Sequence, residues 1–323
     1  MKQWWAVPGE NGAISELRDV RVPTPGFGEV LVRMNGAGVN RGELMFNRVL
    51  RTDNPKARAV RSGIEIAGVI ETLGDGVDGW SVGDRVMARG VACHAEAALV
   101  DVEALMPSPV ELSDVEAAAI PNVFVTAHDA IVTVAGVMAA DKVLITAGSS
   151  GVGTAAIQIV KHLGATAIAT TRSPAKAAAL VDLGADHVAD TSSPDWLSSM
   201  VDQIGPVTCV IDQVGGDLFP GLLSALEVLG RYVSVGRNAG SASTIDLDLV
   251  ARNRLTLVGV TFRTRSPIEV LECSRRFAAD LWSSFGSGAL RPVVDRTFGL
   301  DDLPRAHEYM GSNAQFGKIL LVP

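Results

Sequence analysis

The pattern of apolar and polar positions changes character once along the chain. Up to about residue 124 the apolar residues come in short runs, at 30–34, 64–72, 85–88 and 97–100. Turn signals separate them: Pro23-Thr24-Pro25-Gly26, Gly74-Asp75-Gly76 and Val82-Gly83-Asp84. Short runs spaced by turns predict a compact, mostly β domain of curled antiparallel strands. Ser113-Asp114-Val115-Glu116 opens a helical stretch that Pro121 ends or kinks. No internal repeat or low-complexity tract interrupts this region.

From about residue 125 strand and helix patterns alternate. Residues 125–139 read as a long helix, and 142–147 as an apolar strand of β-branched character. The turn Gly148-Ser149-Ser150-Gly151-Val152-Gly153 follows, then a helix with Ala155, Ile159 and Leu163 on one face and Gly164 at its C-cap. A second strand at 166–171 completes a βαβ unit. Further strands are predicted at 187–189, 207–212, 232–235 and 256–260, with helices after Pro194 and over 218–229. Six strands with crossing helices make an α/β doubly wound parallel sheet. Beyond Arg265 the pattern gives one amphipathic helix and a closing strand at 317–322 that rejoins the first domain. The expected organisation is therefore 1–124, an inserted domain at 125–262, and a return at 263–323. The loops near 41–61 and 240–250 carry the weakest pattern.

The glycine turn sits where a dinucleotide fingerprint belongs, between a strand and a helix. Residues without side chains let the backbone approach a pyrophosphate, and the unpaired N–H groups of a helix start point at it. Gly148, Ser149, Ser150, Gly151, Val152 and Gly153 are thus candidate cofactor contacts. NAD sites place an acid about 20 residues further on, at the end of the second strand. This chain has Thr171-Arg172-Ser173-Pro174-Ala175-Lys176 there. Arg172 and Lys176 suit a ribose 2′-phosphate, so NADPH is the expected cofactor. Ser173-Pro174 reads as an N-cap followed by an N1 proline. Asp212-Gln213-Val214-Gly215, Gly236-Arg237-Asn238 and Thr261-Phe262-Arg263 fall at strand C-termini and should border the cofactor groove.

Composition narrows the classes. The 323 residues are 47% hydrophobic and 20% charged, an ordinary globular balance with chain enough for two cores. A net charge of −8 lacks the footprint of nucleic-acid binding. Cys93, Cys209 and Cys273 are too few and too scattered for a disulfide framework, which fits a reducing, cytoplasmic compartment. No apolar stretch reaches the roughly 18 residues of a membrane span, and the N-terminus has no long apolar leader core.

Gly28-Glu29-Val30-Leu31-Val32, Gly38-Val39-Asn40, Gly68-Val69-Ile70, Val82-Gly83-Asp84-Arg85-Val86, the segment from Ala147 to Gly153, and Gly317-Lys318-Ile319 together span nearly the whole chain. In these motifs the chain resembles the medium-chain dehydrogenase/reductase superfamily, and within it the zinc-independent quinone oxidoreductase branch. The resemblance implies a Rossmann domain inserted into a GroES-like catalytic domain. The branch's phosphate loop reads Ala-x-x-Gly-x-x-Gly, and Ser150 takes the middle glycine's place, from which its hydroxyl could donate to a pyrophosphate oxygen. Zinc-dependent relatives carry Gly-His-Glu where this chain has Gly63-Ile64-Glu65, and a cysteine where it has Asn40. Catalytic zinc needs three ligands, Cys93-His94 has no third partner of matching spacing, and no metal is expected.

Without a metal, reduction of a conjugated carbonyl is the easiest chemistry to sustain, because the oxygen's developing charge needs only hydrogen-bond donors. The branch's acceptors are quinones and α,β-unsaturated carbonyls. Asn40 reads either as a first-rank donor near the nicotinamide and substrate or as a turn residue after Gly38. Arg41, Glu43, Met45 and Phe46 are the expected acceptor pocket. The resemblance further implies that Thr126, Lys176, Asn238, Phe262, Arg263 and Lys318 touch the cofactor, although a lysine entering a terminal strand is usually solvated; Thr171, Val214 and Gly236 are cofactor candidates from their places at strand ends. Some relatives place a tyrosine over the adenine where this chain has Thr191. Enoyl-thioester reductases use a tyrosine as proton donor; Tyr232, inside a strand, and Tyr309, near the C-terminus, fit that role poorly. An enoyl-thioester reductase and a non-catalytic NADPH-binding protein are the alternatives. The run 255–260 is apolar on both faces and would end its sheet, an edge that predicts a two-fold homodimer.

Overall fold

The computed structural model describes residues 1–45 and 49–323. The chain forms two compact units, residues 1–122 with 274–323 and residues 123–273. The divisions fall at 122/123 and 273/274, the second inside a long helix, where the sequence pattern set them at 124/125 and 262/263.

The first unit opens with β1 (Lys2–Val7), β2 (Ile14–Asp19), β3 (Glu29–Val39), α1 (Arg41–Leu44), β4 (Val60–Arg61), β5 (Glu65–Leu73), β6 (Arg85–Arg89), β7 (Ala97–Asp101), β8 (Leu105–Pro107) and α2 (Asp114–Ala118). The second unit holds α3 (Val123–His128), β9 (Lys142–Ile145), α4 (Gly151–His162), β10 (Thr166–Thr171), α5 (Ala177–Asp182), β11 (His187–Asp190), α6 (Trp196–Ile204), β12 (Val207–Asp212), α7 (Phe219–Ser224), β13 (Leu226–Ser234), α8 (Leu247–Asn253) and β14 (Thr256–Gly259). Helix α9 (Pro267–Gly286) carries the chain back, followed by β15 (Val294–Gly299), α10 (Leu303–Gly311) and β16 (Lys318–Val322).

In the first unit a three-stranded sheet runs β2-β1-β4, and a seven-stranded sheet runs β15-β16-β3-β5-β6-β8 with β7 also on β3. Alternation explains which face is buried. Val30, Val32 and Met34 of β3 point into the same core as Val86 and Ala88 of β6 and Ile319 and Leu321 of β16. A register shift between Met34 and Gly36 then changes the phase, so that Ala37 and Val39 continue the core-facing row. Helix α2 starts on the predicted capping box: Ser113 Oγ accepts from the Glu116 amide, and the Glu116 carboxylate accepts from the Ser113 amide.

The second unit is a six-stranded parallel sheet in the order β11-β10-β9-β12-β13-β14. Its βαβ unit lies where the pattern put it, and Gly164 ends α4 with φ +77. This doubly wound sheet and the GroES-like β unit are the expected α/β fold.

Several expectations fail for tertiary reasons. The helix expected over 125–139 stops being α-helical at His128, continues as a π-helical segment at Asp129–Val134, and is finished by Gly136 at φ +59. Its second half is β-branched, which disfavours regular helix. The helix expected over 218–229 ends at Ser224, because Leu226 pairs with Val207 as the start of β13, and Leu229 bulges at φ +67. The 240–250 loop contains the start of α8, capped by Asp246. Beyond Arg265 there are two helices and two strands, not one of each: β15 pairs in parallel with β16, and the short α10 buries Leu303, Ala306 and Met310 in the same core. The sheet of β1, β2 and β4 was not anticipated either.

Candidate functional site

Because every pair in the second unit's sheet is parallel, the C-terminal ends of its strands share one edge. Strand order reverses between β9 and β12, the switch point at which doubly wound sheets take their ligands. The glycine turn rises from β9 there. Ala147 adopts φ +51 and its amide donates to Thr170 Oγ1 at 3.2 Å, which turns the chain sharply off the strand. A Cβ on Gly153 would lie 2.4 Å from the Ala147 carbonyl and 2.6 Å from that of Gly148, so only glycine lets α4 sit this close to the turn.

Ser150 is the N-cap of α4. Its Oγ accepts from the Gly153 amide at 2.9 Å and donates to Gln213 Oε1 at 2.8 Å. The expectation that this hydroxyl donates to a pyrophosphate is therefore corrected: its proton is committed to Gln213. The amides of Gly151 and Val152, next in the first turn, have no hydrogen-bond partner among the described residues. Those two orphan donors at the start of a 12-residue helix are what a phosphate group needs.

Gln213 joins the turn to the end of β12. Its Nε2 donates to the Thr146 carbonyl at 2.8 Å, and its amide to Thr146 Oγ1 at 2.8 Å. Beneath it the fully buried Asp212 carboxylate accepts from Thr146 Oγ1 (2.7 Å), the Val214 and Gly215 amides (2.9 Å each) and the Tyr232 hydroxyl. Burial, with Asp212 alongside, pushes the Tyr232 phenol up, so it stays protonated and structural. Asn238 Nδ2 reaches the Gln213 carbonyl at 2.8 Å, and the Gly236 amide reaches that of Asp212 at 3.0 Å. The hydrogen bonds thus bring Ser150, Gln213, Val214, Gly236 and Asn238 together with the glycine turn. Ser149 is half-buried in that turn.

At the end of β10, Thr171 is buried and its Oγ1 accepts from the Ser173 amide at 3.0 Å. Ser173 is the N-cap of the short turn Pro174–Lys176, with the proline at its start as expected, but its side chain makes no cap bond; Thr171 supplies the local bond instead. Arg172 is exposed, and Lys176 is half-buried on the short turn Pro174–Lys176. Thr126 lies half-buried on α3. Phe262 carries the Arg265 guanidinium at 4.7 Å from its ring centre, Arg265 pairs with the buried Asp129 at 2.6 Å, and Arg263 is exposed beside them.

The first unit contains a second polar assembly, around Asn40. This residue is 6% exposed, and both ends of its amide are engaged. Nδ2 donates to Glu65 Oε1 (2.9 Å) and the Gly38 carbonyl (3.1 Å); Oδ1 accepts from Lys318 Nζ (2.7 Å) and Asn122 Nδ2 (2.6 Å). Lys318, expected to be solvated or to touch the cofactor, is 3% exposed and inward-facing. Its three donors go to Glu65 Oε1 (2.6 Å), Asn40 Oδ1 (2.7 Å) and the Val39 carbonyl (3.0 Å). An ammonium has three N–H bonds, so none is left for a ligand. Gly38 makes room for the pair: a Cβ there would lie 2.0 Å from Glu65 Oε1.

Glu43 is likewise buried rather than lining an acceptor pocket. Oε1 accepts from the Asn40 amide at 3.2 Å, and Oε2 lies 3.0 Å from His307 Nε2 on α10. Burial pushes its carboxyl up, but His94, His307 and Lys318 outweigh that and hold it below the usual carboxylate range. Arg41 turns onto α10, where it donates to the Met310 carbonyl at 2.8 Å. Met45 is half-buried after α1, and Phe46 lies outside the described residues. Burial pushes the His94 imidazole below its ordinary value against the pull of Glu43; its Nδ1 lies 2.9 Å from Ser62 Oγ and its Nε2 3.1 Å from the Gly38 carbonyl. Glu65, Asn122 and His307 were not singled out as site residues. A lone carboxylate opening an apolar strand, and a lone lysine opening another, were the signal that two buried charges must meet.

Zinc does not fit this assembly. The position resembling a first ligand is Asn40, Ile64 at the position resembling the histidine has no ligand atom, and the oxygens of Asn40 and Glu65 already hold a cation, the Lys318 ammonium. Among the described residues no three His, Cys, Asp or Glu side chains are grouped as metal ligands. No helix among them is long and apolar enough to cross a membrane.

Comparison with known proteins agrees with this anatomy. Residues 26–110 match the alcohol dehydrogenase GroES-like domain, and residues 151–278 match the zinc-binding dehydrogenase family. The second match begins within the glycine turn, at Gly151, and includes neither Asn40 nor Glu65. The chain is 28% identical over 313 residues to the quinone oxidoreductase of Homo sapiens, covering 94% of this chain and 92% of that protein. It is 28% identical over 349 residues to the acryloyl-coenzyme A reductase of Sulfurisphaera tokodaii, covering 98% of each. A mycobacterial protein solved in complex with NADPH superposes with a TM-score of 0.88 at 28% identity, over the whole of both chains. One curated relative is far longer, and 99% of this chain spans 14% of it; with two others the match takes in 145 residues, 44% of this chain and 34% of each of theirs. With both domain families matched in order around the observed fold, the chain belongs to the medium-chain dehydrogenase/reductase superfamily.

Proposed function

We propose that this protein is an NADPH-dependent reductase of quinones or α,β-unsaturated carbonyls that works without a metal ion. The observation that carries the reading is the end of β10, where an acidic residue is missing and Arg172 and Lys176 follow the glycine turn. NADPH, when bound, supplies hydride; the chain's own residues bind and orient. The Gly151 and Val152 amides would take the pyrophosphate, Arg172 and Lys176 the 2′-phosphate, and Gly236, Asn238, Phe262, Arg263 and Thr126 the remaining length. Arg41 and Met45 are the acceptor-side candidates that keep surface exposure. Asn40, with its amide fully engaged, holds the start of α1 in place instead of donating to substrate. The NADPH complex of the mycobacterial relative and the quinone oxidoreductase relatives support the assignment.

The test is direct. Protein mixed with NADPH and a panel of quinones and enones should consume the nicotinamide absorbance; no consumption with any acceptor would sink the proposal. Arg172→Ala should weaken NADPH binding by about 1.5–3 kcal/mol, the scale of a charge-assisted hydrogen bond, and leave NADH nearly unchanged. Equal losses with both cofactors would refute the phosphate assignment.

The acryloyl-coenzyme A reductase relative favours one second reading, an enoyl-thioester reductase. Comparing a free enone with its coenzyme A thioester separates the two. We further propose a cytoplasmic homodimer, on the ground that β14 ends its sheet with Val258 exposed; a monomeric mass at micromolar concentration would contradict it.

A further inference from the structure

Three oxygens surround Lys318 Nζ in the interior of the first unit: Glu65 Oε1, Asn40 Oδ1 and the Val39 carbonyl, at 2.6, 2.7 and 3.0 Å. A carboxylate, an amide carbonyl and a backbone carbonyl are the donor set of a hard-cation site. The remaining oxygens nearby reinforce that character. Glu65 Oε2 accepts from the Asn122 amide at 2.7 Å, and the Glu43 carboxylate lies on the other side of Asn40, 3.4 Å from its Nδ2. Among the described residues, the positive charge brought directly to both Glu65 and Asn40 is the Lys318 ammonium.

We propose that Lys318 is a built-in cation that fills a latent divalent-cation site, and that the site becomes competent to bind a metal once the ammonium is removed. The backbone supports this. Lys318 opens β16, whose Ile319 is in register with Val39 of β3, so the strand pairing itself delivers Nζ to the Val39 carbonyl. Gly38 leaves the space that the Glu65 carboxylate occupies, since a Cβ there would lie 2.0 Å from Glu65 Oε1. The ammonium also fixes the sense of the Asn40 side-chain amide: by donating to Oδ1 it turns Nδ2 onto Glu65. The site is thus tethered from strands β3, β5 and β16 at once. This inference gives a physical reason for the metal independence in the proposed function, but it concerns the apo protein and does not require that reading to hold.

The experiment uses the full chain and three variants, Lys318→Ala, Lys318→Arg and Lys318→Ala with Glu65→Gln. Melting temperature is measured with EDTA, Mg²⁺, Mn²⁺ or Zn²⁺, and retained metal is counted by mass spectrometry after desalting. The parent protein should melt at one temperature in all four conditions and hold no metal. Lys318→Ala should melt about 10 °C lower in EDTA, as expected for an orphaned buried carboxylate, and recover at least half of that loss with millimolar Mn²⁺, retaining about one equivalent. Lys318→Arg should stay indifferent to metal, and the double variant should lose the metal response because the carboxylate is gone. If Lys318→Ala folds only poorly, its refolding yield with and without Mn²⁺ reads the same point. A Lys318→Ala protein whose melting or refolding ignores every metal overturns the proposal and leaves the reductase reading untouched. A parent protein that retains an equivalent of zinc overturns both the resident-cation proposal and the metal-free mechanism, whereas failure to reduce any acceptor would bear only on the latter.

Discussion

Two buried carboxylates, one in each unit, are stabilised by opposite means. Asp212 sits under the nucleotide turn and is satisfied entirely by neutral donors: a threonine hydroxyl, a tyrosine hydroxyl and two backbone amides. Glu65 in the first unit is satisfied by a full positive charge, with an amide side chain and one backbone amide in support. A cage of neutral dipoles demands that many groups be held at once, and so it doubles as scaffolding for the loop above it. An ion pair needs only one partner, but losing that partner strands a charge in the interior. Rigidity near the cofactor turn is therefore distributed, whereas at Asn40 it is concentrated in Lys318.

This difference can be broken experimentally, and the largest effect should come from the ion pair. Lys318→Met should destabilise the protein by about 3–5 kcal/mol in urea unfolding, since it leaves Glu65 charged and unpaired. Adding Glu65→Gln should restore a good part of that loss; no restoration would mean that packing, not charge, is what Lys318 contributes. Next in size, Gly153→Ala should cost about 1–3 kcal/mol, because the added methyl meets backbone carbonyls that cannot step aside. It should also weaken NADPH binding more than it weakens folding, read by nucleotide fluorescence against denaturation. Asp212→Asn should cost about 1–2 kcal/mol, less than Lys318→Met, as one donor of the cage meets an amide N–H in place of an oxygen. A cost equal to that of Lys318→Met would erase the contrast between a distributed and a concentrated anchor.

The smallest effect is one of pH. The Glu43 carboxyl is held below its ordinary value in the folded protein, so the unfolded chain binds its proton first as pH falls. The stability that Glu43 contributes is present above the ordinary carboxylate pKa and is lost as pH drops through the folded value. Melting temperature followed downward from pH 7 should therefore fall more steeply for the parent protein than for Glu43→Gln. Parallel curves would mean that Glu43 is not ionised in the fold.

The strands and the glycine turn were legible because they depend on local patterns. Alternating Val30, Val32 and Met34, the apolar run of β9 and the glycines at 148, 151 and 153 each carry their own reason within a few residues. The helix limits near 128 and 224 were not legible, since they are set by where the following residues pair, as with Leu226 on Val207. The candidate site divides in the same way. The cofactor turn and the cations after β10 follow from sequence order, because a strand, a tight turn and a helix are contiguous by construction. The surroundings of Asn40 could not, because Gly38, Glu65, Asn122, His307 and Lys318 are scattered along the chain and meet only through sheet register and the docking of α10. Sequence by itself determined the fold class, the glycine turn between strand and helix and the positive charge beyond it, for these are short-range consequences of residue type and period. Only the tertiary structure decided that Lys318 faces inward, that Ser150 is bonded to Gln213, and that Glu43 is a buried anchor, since a charge or hydroxyl takes its role from the partner that long-range packing delivers to it.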